Sequence, residues 1–171
     1  MQLDLRKDFE EIYSYVVDRV RKFDPSKNSG PGDEKSPVAQ VLLGFQCDQA
    51  GWIALVFDTR PDAAPDGEWN SYIEDNIFER QYWHEASEFL EAKEIDVVLP
   101  DGSTRKISSD THEEEYFAIF GEMLKGVLLK ARHEGVFKSL PKANRCHMGV
   151  EEHGGRYAWP RYEDRGKNDL A

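Results

Sequence analysis

Residues 3–23 place Leu5, Phe9, Ile12, Tyr13, Val16, Val20 and Phe23 at spacings of mostly three and four. That rhythm predicts an amphipathic helix. Arg6, Lys7, Asp8, Glu10, Glu11, Asp18 and Arg19 fall between them as a solvated face, and Pro25 follows soon after the pattern ends. The polar stretch DPSKNSGPGDEKSP, 24–37, reads as a long mobile loop. Two apolar runs come next, VAQVLLGFQCD and WIALVFDTR, separated by Gln49, Ala50 and Gly51. They read as a β-hairpin, and their near-continuous hydrophobicity predicts strands covered on both faces.

Beyond the loop PDAAPDGEW, the S-x-x-E form of Ser71 to Glu74 matches a capping box. It predicts a helix from about 71 to about 92, with Ile73, Ile77, Phe78, Trp83, Ala86 and Leu90 on its buried side. EIDVVLPDGSTRKI reads as a second hairpin turning at Pro100-Asp101-Gly102, with one face exposed. From Thr111 to His133 the stripe Tyr116, Phe117, Phe120, Met123, Leu124, Val127, Leu128 and Ala131 predicts a long helix. Glu113, Glu114 and Glu115 lie in its first turn and Lys130, Arg132 and His133 in its last, the arrangement a helix dipole favours. Gly135 follows as its stop. A strand from Cys146, with a further short strand near Arg156 to Trp159, completes the order α-β-β-α-β-β-α-β. The expected fold is α+β, an antiparallel or mixed sheet with helices packed on it. One domain spans 1–160, and 161–171 forms a polar tail.

Charge changes this picture in one place. The chain carries a net charge of −11. Between Asp58 and Asp101 there are thirteen Asp or Glu and three Lys or Arg, so −10 of that charge falls in one segment. Such a field repels phosphate and anionic lipid and steers basic partners inward, so neither nucleic acid nor membrane is an expected partner. No apolar run approaches the ~20 residues of a membrane span, and the charged, periodic N-terminus does not resemble a signal peptide. A cytoplasmic location is expected. The two cysteines, Cys47 and Cys146, are far apart and read as reduced and buried.

CHMGVEEHGG, 146–155, gathers the densest set of ligand-type residues. Three readings compete: a metal site, a Cys/His pair, or a strand entering a turn. In a strand, Cys146, Met148 and Val150 share one face while His147, Gly149 and Glu151 share the other. Cys146 and His147 then point apart, and C-H-x5-H matches no strong zinc spacing. The strand reading is preferred. A small metal-binding protein or hydrolase using His147, His153 and Cys146 is the alternative. His84-Glu85-x-x-Glu88 lacks the second histidine of a zinc helix, and His112 with three glutamates is explained by the helix start. No phosphate-cradling loop, nucleophile elbow or EF-hand loop occurs. No metal or cofactor is expected.

DGEWNSYIEDNIFERQYW, 66–83, mixes acids with aromatic residues, the combination that serves a basic protein partner. Its candidate contact residues are Glu68, Trp69, Glu74, Asp75, Glu79 and Tyr82. The order of elements, D-G-E-W before a predicted helix, and a long helix ending ARHEGVF resemble small bacterial proteins of unknown function, some of them among the immunity proteins that neutralise polymorphic toxins. That resemblance implies a non-enzymatic binder of a toxin domain and transfers no catalytic residue.

Overall fold

The computed structural model describes residues 1–24, 37–48, 51–59, 77–80, 83, 85–86, 94–108 and 112–160. Nearly all of the expected loop at 24–37, the S-x-x-E segment and the tail at 161–171 lie outside them.

The fold is α+β with mixed strand pairing. Its described elements run β1 (Gln2–Asp4), α1 (Leu5–Arg21), β2 (Val38–Gln46), β3 (Trp52–Asp58), β4 (Ile77–Glu79), β5 (Ile95–Val98), β6 (Thr104–Ile107), α2 (His112–His133), a 3-10 turn (Val136–Ser139), β7 (Lys142–Glu152) and β8 (Ala158–Trp159). The strands form two sheets, β1-β5-β6 and β4-β3-β2-β7-β8.

The larger sheet is built on the β2–β3 hairpin, whose register pairs Phe45 with Ile53, Leu43 with Leu55 and Val41 with Phe57. All six side chains are buried. Ala54 and Val56, on the opposite face, are buried as well, as the apolar run predicts. β7 joins β2 in parallel, bringing Met148 beside Val41 and Val150 beside Leu43. Cys146, Met148 and Val150 are buried on this face, which agrees with strand alternation. β7 is an interior strand of the sheet, because β8 pairs with its other edge.

α1 and α2 bury their predicted stripes together with this sheet face in one core. Leu5, Ile12, Val16 and Val20 of α1 are buried, as are all eight stripe residues of α2. Phe23, just past α1, packs at a tilt against Phe57 with ring centroids 4.8 Å apart.

The predicted order of elements needs two corrections. First, the chain opens with a strand rather than a helix turn. Gln2–Asp4 pairs in parallel with Asp96–Val98, and Asp4 is extended and accepts from the Arg6 N–H at 3.1 Å. A capping aspartate holds one of the helix's unsatisfied N–H groups only from outside the helix, so α1 begins at Leu5. Second, the helix expected from about 71 to about 92 is extended at Ile77–Glu79, which pairs with Trp52–Ala54. The outer edge of β3 presents backbone groups that need partners, and a β-branched residue followed by an aromatic one suits a strand. The chain is helical at Trp83, Glu85 and Ala86. Two long helices are therefore described where three were expected, and two sheets where one was expected.

The β5–β6 hairpin is built as expected. Asp101 accepts from the Ser103 N–H at 2.9 Å and from its hydroxyl at 2.6 Å, while Gly102 takes the left-handed conformation, φ 84°, that the turn requires.

Candidate functional site

The two apolar stripes each contain an acid in register. On α1 the buried positions run Leu5, Asp8, Ile12, Val16, Val20. On β7 the buried alternation Cys146, Met148, Val150 continues to Glu152. Asp8 was expected on the solvated face. It is only 1% exposed, because its position repeats with the apolar stripe. A carboxylate in such a place requires partners, and each is met by an arginine.

Asp8 accepts from the Trp83 indole N–H at 3.1 Å and from Arg80 Nε at 3.1 Å. Arg80 also pairs with Glu11, one helical turn from Lys7 and on the same helix as Asp8. Its backbone N–H donates to the Gly51 carbonyl, so the residue after β4 stays tied to the sheet edge. Trp83 is fully buried and packs at a tilt on Phe120, centroids 4.4 Å apart. The Tyr116 hydroxyl donates to the Trp83 carbonyl. Arg80 and Trp83 are thereby fixed to α1, α2 and the hairpin.

β4 is the edge strand of the larger sheet. Glu79 is exposed, whereas the Arg80 side chain beside it is only 17% exposed and turned toward Asp8 and Glu11. β3 ends at Asp58, and β4, from Ile77, pairs along its outer edge. Of the predicted contact residues, the structure places Glu79 there. Glu68, Trp69, Glu74, Asp75 and Tyr82 lie outside the described residues, as does His84.

At the opposite border, Glu152 has no side-chain exposure and accepts from the Arg156 N–H at 3.0 Å and from Arg156 Nη2 at 3.1 Å. Asp48 takes the same Nη2 at 2.8 Å. The guanidinium lies 3.7 Å from the centroid of the Phe117 ring, a cation–π contact. Cys47, next to Asp48, is buried, and burial first, then the neighbouring acids, push its thiol well above the usual range. A thiol held protonated in this way is a poor nucleophile.

His147 and His153 do not join Cys146. Cys146 points into the core, and His147 lies in register with Gln40 on the other face. His153 is exposed in the turn after β7, its ring edge-on to Trp52 at 5.9 Å. At ~3.3 Å per residue, five steps of strand separate His147 from the start of that turn. Among the described residues, no group of three His, Cys, Asp or Glu side chains could hold a metal ion. No helix among them is long and apolar enough to cross a membrane.

Arg80, Glu152 and Arg156 were not singled out from the sequence, Asp8 was placed on the solvated face, and Trp83 was expected to be buried, as it is. The signal for both acids was present: each occupies the next position of an apolar periodicity. Comparison of the chain with protein-family models, with curated proteins and with solved structures finds no match.

Proposed function

We propose that the chain is a non-enzymatic protein-binding protein whose acidic, aromatic-bearing segment covers a basic cleft on a partner, in the manner of the toxin-neutralising proteins its layout resembles. The observation that supports this reading is the inward commitment of Arg80 beside the exposed Glu79. The basic residue nearest the edge spends its charge on Asp8 and Glu11. The acids of the segment are left to set the outward potential, which steers a basic partner and fixes its orientation. In this mechanism Glu68, Glu74, Asp75 and Glu79 stand in for phosphate charge, and Trp69 and Tyr82 supply the apolar anchors that concentrate binding energy.

Capture of the product of an adjacent gene, where that gene encodes a large secreted toxin, tests the reading. Trp69→Ala combined with Asp75→Lys should abolish capture while leaving the urea midpoint in place. Unchanged capture by that double variant refutes the proposed surface.

A further inference from the structure

We draw no further inference here: the strongest candidate, the apolar cleft of about 280 Å³ between α2 and the β5–β6 hairpin, carries none, because Lys125 already pairs with Glu122 at its rim and nothing in the structure shows what covers it.

Discussion

Asp8 and Glu152 pose the same physical problem at opposite borders of one sheet, and the molecule solves it in two ways. Each is an acid in register with an apolar stripe, and each is buried against an arginine. Glu152 finds Arg156 four residues along the chain, across a tight turn that also offers it a backbone N–H. Asp8 finds Arg80 and Trp83, 72 and 75 residues away. The nearby pairing forms with the turn itself. The distant one joins the residue after β4 to α1, so it couples the sheet edge to that helix. A buried ion pair is weak evidence of net stabilisation, because desolvation offsets much of the attraction. Removing one partner is costly in either case, and the cost should differ with the number of groups left stranded.

Asp8→Ala is the most severe test of that difference. It removes at once the carboxylate that accepts from Arg80 Nε and from the buried Trp83 N–H, with Glu11 and the Glu79 carbonyl among the arginine's other acceptors. The expected loss is about 3–5 kcal/mol, read from urea unfolding. A loss under about 1 kcal/mol would mean that Arg80 and Trp83 re-pair without Asp8, and the coupling of β4 to α1 would not depend on it.

Gly121→Ala probes the opposite border. A Cβ at Gly121 would overlap the Tyr157 ring, which packs against α2 just before β8. Tyr157 is also tied to Glu122, so the ring must be forced aside, at a cost of about 1–3 kcal/mol. Glu152→Gln should cost less, about 1 kcal/mol. It keeps the shape and an acceptor for Arg156, and Asp48 still holds the guanidinium. If Glu152→Gln proves as damaging as Asp8→Ala, the local turn gives no redundancy and the contrast between the two borders fails.

The same contrast explains what could be read from the sequence. α2 was legible because eight apolar residues keep one helical period and both ends carry favourable charge. The strand at Cys146 was legible because alternation is a strictly local rule. The β2–β3 hairpin was legible because both runs are apolar throughout. Ile77–Glu79 was not, because its extended form is decided by β3, whose edge it covers from 23 to 27 residues away in sequence. The first strand was hidden for the same reason: three residues pair with β5, more than 90 positions on. The second sheet follows from that pairing. At the candidate site, Glu79 was named for its charge, and it is exposed beside Arg80, which turns inward to Asp8. Asp8 itself was assigned to water because it is charged, although its spacing placed it with Leu5 and Ile12. A charged residue in phase with an apolar stripe therefore signals a buried partner elsewhere in the chain. Glu152, in phase with Val150, obeys the same rule.

The subtlest difference between the borders involves two tyrosines. Tyr15, on α1, is pushed up to about 12 chiefly by burial, with Arg19 pulling it back. Tyr157, beside α2, is raised further, by burial first and then by its bond to Glu122. An unfolded tyrosine ionises near ~10. A raised folded pKa means that the native state keeps the proton longer. Each phenol's contribution is therefore complete below pH ~10 and is lost above it, as the unfolded chain ionises first. Near neutral pH, Tyr15→Phe and Tyr157→Phe should each shift stability by no more than about 1 kcal/mol. Above pH ~10 the wild-type urea midpoint should fall with pH, and each Phe variant should fall less steeply. The benefit from Tyr15→Phe should level off near pH 12, where Tyr15 itself ionises, while that from Tyr157→Phe continues to grow. Parallel alkaline slopes for all three proteins would show that neither phenol is held neutral by the fold, and the two borders would then differ only in their arginines.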